Sequence, residues 1–159
     1  MKINVVCDDK WVLPNYVNIN AFSNGLPDNM KQFCTVTKDD FRNYLSKHVD
    51  DGECDEIRLW HAFCGMSLSE VPGALKLCVS KLKHGGVLSI TAYDIIEIAK
   101  STFNVNITLE ELQPLLFNNG LNKCCVQLAA IEQQMMQFGL IVEAKRIYEY
   151  QFSIKGKRP

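Results

Sequence analysis

At 159 residues, 47% hydrophobic and 22% charged, the chain has the size and balance of one globular domain with a real core, which excludes a disordered polypeptide. Seventeen basic against eighteen acidic residues leave a net charge of −1, so no global field draws it to nucleic acid or anionic lipid, although a local basic patch is compatible with that total. No apolar run approaches the roughly eighteen residues that span a bilayer, and the start, Met1-Lys2-Ile3-Asn4-Val5, runs straight into strand-like sequence without a signal-peptide pattern.

Residues 2–7 read as a first strand and residues 16–20 as a second. Only Asp8 to Asn15 separate them, fewer than the roughly ten to twelve residues of a full crossover, so a helix between parallel neighbours would be vestigial. Ser23 to Asp28 is turn-rich, Gln32 to Thr37 suits a third strand, and Phe41, Tyr44 and Leu45 recur at helical spacing within 39–48. Asp55 to Trp60 forms the next strand and ends at His61. Ser69 can cap a helix that tolerates Pro72 in its first turn, with Val71, Leu75, Val79 and Leu82 as its apolar stripe and Gly85-Gly86 as its stop. Val87 to Ala92 is a β-branched strand, so 55–92 is a strand–helix–strand unit of the kind that builds a parallel sheet.

Further on, residues 95–103 and 126–138 suit helices, and Thr108 with Glu111 is a capping box for another over 109–117. Residues 140–145 and 148–154 are strands, the second alternating cleanly, and their short connection predicts an antiparallel pair. The fold expected is α/β: a doubly wound, mostly parallel, Rossmann-like sheet over one domain, 1–159, with residues 2–7, 16–20, 55–60 and 87–92 parallel and Val5, Val17, Ile57, Leu59, Leu88 and Ile90 buried beneath layers on both faces. Leu115, Leu116, Phe117 and Leu121, with Met135, Met136 and Phe138, are expected mainly in the core; an exposed apolar patch among them would mark an interface. The seven cysteines show no zinc-like spacing, their count is odd, and they are expected as reduced, buried thiols in a cytoplasm, with no metal.

The order of these segments resembles a compact class I S-adenosylmethionine (SAM) methyltransferase. The residues that carry the resemblance are Asp55-Glu56-Ile57 leading to His61, then Leu82-Lys83-His84-Gly85-Gly86-Val87-Leu88-Ser89-Ile90, and the segment from Lys2 to Asn20. The first matches the family's fourth strand. The second matches its Lys-Pro-Gly-Gly segment before the fifth strand. The third is similar to the compact subgroup's opening, which often reads LNLGCGDK followed by LPGYVNID. The resemblance implies SAM as cofactor, bound by Val6, Cys7 and Asp8 after the first strand, by Asn20 after the second, and at the adenine amino group by Asp39, for which an ordinary helix cap is the alternative. It places His61 and Asp94 as candidate catalytic residues at the carboxyl ends of strands, beside Tyr93, where open α/β sheets bind ligands. The other readings are a packed histidine and surface-loop residues.

Three positions depart from the family pattern. Val6 and Asp8 stand where the family has two glycines, which allow a sharp turn and a close backbone approach to the ligand. Asn20 stands where it has the acid that holds the ribose hydroxyls. The reading is a methyltransferase-fold protein that no longer binds SAM and serves as a non-catalytic interaction or regulatory protein, its partner another protein. An active, atypical SAM-dependent methyltransferase is the alternative, and a phage virion or assembly component the third. The resemblance implies a bacterial or phage-infected cytoplasm; neither a membrane nor nucleic acid is indicated as partner.

Overall fold

The structure is a computed structural model that describes residues 1–7, 11–21, 41–104, 106–117 and 122–159. Strands β1 (Lys2–Val6) and β2 (Val17–Asn20) are followed by helix α1 (Phe41–His48), β3 (Cys54–Trp60), α2 (Val71–Lys81) and β4 (Leu82–Tyr93). Helices α3 (Ile95–Phe103), α4 (Leu109–Phe117) and α5 (Leu128–Gln137) precede β5 (Ile141–Tyr148) and β6 (Gln151–Lys157). The six strands form one sheet in the order β2-β1-β3-β4-β6-β5. The first four are parallel, with Val5 opposite Ile19 and Leu59, and Leu59 opposite Ile90; β6 is antiparallel to both β4 and β5. This is the expected class, a mostly parallel sheet with an antiparallel C-terminal pair. The predicted third strand, 32–37, lies outside the described residues.

The strand alternation separates two unlike faces. Ile3, Val5, Ile19, Ile57, Leu59, Leu88, Ile90, Phe152 and Ile154 point to one side and pack with Phe41 and Leu45 of α1, Leu75 and Cys78 of α2, and Ile131 and Met135 of α5. Val17 is half-buried, because β2 borders the described part of the sheet. On the second face, residues 11–16 cover the β1 end, with Val6 packed on Trp11, Val12 and Trp60. Asn4 Nδ2 donates to the Trp11 carbonyl at 2.8 Å and to Asn18 Oδ1 at 2.7 Å, while Leu13 N donates to Asn18 Oδ1 at 3.0 Å. Trp11 stacks on Trp60 with centroids 4.5 Å apart and planes 11° apart. Two asparagine side chains thus meet the polar demands of a connection too short for a helix.

Two boundaries differ from expectation. Gly85-Gly86 does not stop the helix; α2 ends at Lys81 and β4 begins at once, with Leu82 opposite Cys54 and Val87 opposite Glu56, so that residues 83–86 bulge from the ladder. The terminal hairpin turns at Glu149-Tyr150, inside the predicted strand 148–154. No Gly, Asn or Asp announces that turn; Glu149 itself adopts the positive φ, 53°.

Candidate functional site

A cleft of about 880 Å³ opens at the carboxyl ends of the parallel strands. Cys7 follows β1, His61 follows β3 and Tyr93 ends β4; Tyr150 reaches in from the β5–β6 turn, and Glu111 and Leu115 of α4 form the opposite wall. This is where a parallel sheet leaves room between strand ends and the loops that follow them.

His61 sits at φ 51°, ψ 23°, left-handed for a residue with a Cβ. The backbone holds it there: His61 N donates to the Thr91 carbonyl at 2.8 Å, and the His61 carbonyl accepts from Cys64 N at 3.2 Å in the turn that follows. Its ring tilts against Tyr93 at 4.4 Å between centroids, and Tyr93 lies 6.2 Å from Tyr150. Burial, with neighbouring thiols adding to it, pushes the Tyr93 hydroxyl up to about 12, so it stays a proton donor at neutral pH. Burial also raises Cys64, and raises Cys124 to about 11, so neither is a ready thiolate nucleophile. Glu111 is oriented by its own helix start: Oε2 accepts from Thr108 N at 2.8 Å and Thr108 Oγ1 at 3.0 Å, contacts that lower its pKa. Among the described residues no three His, Cys, Asp or Glu side chains converge as metal ligands.

The predicted site residues do not all meet. His61 and Cys7 line the cleft together with Tyr93. Val6 does not; its fully buried side chain packs on Trp11, Val12 and Trp60, on the second face. Asn20 ends β2 and is buried. Asp94, 2% exposed, is spent on structure: Oδ1 accepts from Ile96 N at 2.8 Å and Glu97 N at 3.2 Å, capping α3, and Oδ2 accepts from Leu128 N at 2.8 Å, anchoring α5. Asp8 and Asp39 lie outside the described residues. Tyr150, Glu111 and Cys64 were not foreseen in the cleft. The alternation of 148–154 marked Tyr150 only as a strand residue, and the capping box accounted for Glu111 by itself.

No family model matches this chain, and no curated protein sequence matches it. Solved structures do. It is similar to a SAM-dependent methyltransferase from Archaeoglobus fulgidus (TM-score 0.73, 14% identity, 99% of this chain and 85% of that one). It is also similar to a SAM-dependent methyltransferase from Thermotoga maritima (TM-score 0.66, 14% identity, 99% and 82%). A third match is to a complex between the Haloferax volcanii methyltransferase activator Trm112 and a methyltransferase (TM-score 0.63, 11% identity, 99% and 81%). At these identities the likeness is one of fold: the mostly parallel sheet with its antiparallel C-terminal pair is that of a class I methyltransferase-like domain.

Proposed function

We propose that this chain keeps the methyltransferase fold without tight SAM binding and acts as a non-catalytic interaction or regulatory protein. The observation that carries the reading is the end of β1. The family pattern has glycine there, but Val6 carries a β-branched side chain fully buried against Trp11, Val12 and Trp60, so the strand end is fixed by packing on the second face and lacks the freedom of a glycine backbone. Asn20 at the end of β2 offers a neutral amide where the ribose hydroxyls would donate charge-assisted hydrogen bonds to a carboxylate. Asp8, by sequence, adds a charge that a ligand carboxylate would meet. The residues present do not fit SAM, and no methyl-transfer step is assigned to them.

A protein partner fits the exposed apolar side chains near the cleft and at the far edge. No residue of α4 is buried, Leu109 and Phe117 are exposed, and Phe103 at the end of α3 is 87% exposed. Met136, Ile141 and Ile147 are exposed along α5 and β5. That a structure of similar fold is a complex with an activator protein accords with this role.

The cleft's volume and its pairing of His61 with Tyr93 favour a second reading, an atypical active methyltransferase. Calorimetric titration with SAM separates the two. The expected result is no binding tighter than a Kd of about 1 mM, roughly −4 kcal/mol, with some affinity recovered by Val6→Gly, Asp8→Gly and Asn20→Asp together. Micromolar binding by the unmodified chain would overturn the first reading in favour of the second.

A further inference from the structure

The second face of the sheet carries chemistry that the cleft does not use. From β3 outward, strand register sets Arg58, Ser89 and Lys155 in one row across β3, β4 and β6, and Thr91, Ser153 and Arg146 in the next across β4, β6 and β5. Three hydroxyls line a groove of about 280 Å³ together with those three cations and Lys145, which is paired with Glu132. One row further toward the amino ends, Lys2 and Lys157 face the same way, opposite Glu56 and Val87.

Among the described residues, the cations on this face outnumber the carboxylates: Glu56 lies 3.0 Å from Arg58 Nε and accepts from the Tyr16 hydroxyl at 2.6 Å, and Glu143 lies 3.3 Å from Lys155, so a phosphate would compete with these exposed pairs. Arg146, Lys2 and Lys157 have no carboxylate partner among the described residues. A chain with net charge −1 has therefore gathered positive charge on one surface. Aromatic rings are interleaved with it: the Arg58 guanidinium lies 5.9 Å from the ring centroids of both Tyr16 and Trp60, and Tyr148 is 45% exposed on the same side, opposite Gln151.

The geometry points to single-stranded nucleic acid as the occupant, its phosphates held by Arg58, Lys155, Arg146 and the three hydroxyls and a base stacked on Tyr148. A strand of phosphates is complementary to the cations, and hydroxyls donate to phosphate oxygens. Interleaved rings suit bases better than the side chains of an acidic peptide. A sheet face projects no helix or ribbon into a duplex groove, so a single strand fits and a double helix does not.

The test is fluorescence anisotropy of the full chain with a labelled oligothymidylate of about twenty nucleotides. Three phosphate contacts predict a Kd on the order of 10 μM at about 50 mM salt and a log–log salt slope near −2, so that a fourfold rise in salt weakens binding about tenfold to twentyfold. Arg146→Glu with Lys155→Glu should weaken it at least tenfold, and Tyr148→Ala about fivefold or more. Lys76→Glu with Lys100→Glu, on helices away from this face, should change it less than about twofold. Circular dichroism melting of each variant, with these exposed sites expected to leave the transition in place, separates lost binding from lost fold. Absence of binding at about 100 μM protein and low salt, or undiminished binding by the Arg146/Lys155 variant, would overturn the proposal. So would tighter binding of a poly-glutamate peptide than of the oligonucleotide, which would assign the face to an acidic protein segment instead.

Discussion

Asp94 shows how much one side chain can determine. Its carboxylate accepts from three backbone N–H groups, two at the start of α3 and one at the start of α5, thirty-four residues on. Helix starts leave such donors without partners, and a charged acceptor satisfies them better than water that cannot reach a buried site. Removing it costs the cap, about 0.5–2 kcal/mol, and strands the partly buried Leu128 N–H at about 1–3 kcal/mol more. Asp94→Ala should therefore lower stability by about 2–4 kcal/mol in urea unfolding. Asp94→Asn should lose less, because its amide oxygen still caps α3. Equal stability of Asp94→Ala and the parent chain would show that the clasp carries no energy.

At the scale of the element, the start of β4 explains why the Gly-Gly pair sits where it does. Gly85 has φ 78°, and a Cβ on Gly86 would stand 2.8 Å from the Lys83 carbonyl oxygen and 2.9 Å from that of Cys54. Both obstacles are backbone and cannot swing away. Gly86→Ala should cost about 1–3 kcal/mol, as overpacking does. Gly73 in α2 is the contrast: nothing lies within 4 Å of its added Cβ and its φ is ordinary, so Gly73→Ala should stabilise by about 0.5–1 kcal/mol. Thermal melts of the two variants moving in opposite directions would check both. Helix α4 behaves unlike the others. It includes Pro114, buries no residue, and gives the cleft a wall rather than giving the core a layer. Strand β5, exposed along almost its whole length, takes a register shift between Val142 and Ala144 and carries Lys145 and Arg146, devices that discourage edge-to-edge pairing.

Among the described residues, the main core lies on one side of the sheet. Helices α1, α2 and α5 pack on that face, while residues 11–16 pack on the β1 end of the other and the cationic groove lies beyond them. Adjacent residues of β4 should therefore respond very differently to truncation. Leu88, fully buried on the core side, should lose about 2–5 kcal/mol on change to Ala. Ser89, on the groove side, should change by no more than about 0.5 kcal/mol. Similar losses at both positions in denaturant titrations would mean that the second face is packed as tightly as the first.

What the amino-acid sequence determined by itself was what short-range patterning controls. The strand–helix–strand unit from Asp55 to Ala92 was legible because period-2 and period-3.6 apolar spacing each span only a few residues. The antiparallel end was legible because its connection is short, though Glu149 hid the turn by taking a conformation usually left to Gly or Asn. The order of these segments carried the likeness in fold, and His61 and Cys7 were placed at the cleft by their positions after strands. Tertiary structure alone decided the rest. Asp94 looked like a cleft residue until Leu128 met it, Val6 like an obstruction in the cleft until its side chain was seen to turn toward Trp60, and Asn4 like an ordinary strand residue until it reached Asn18 and Trp11. The cationic groove draws on β3, β4, β5 and β6, whose neighbourhood follows from sheet order. Each of these depends on which distant segment arrives opposite a given side chain, and local periodicity holds no record of that.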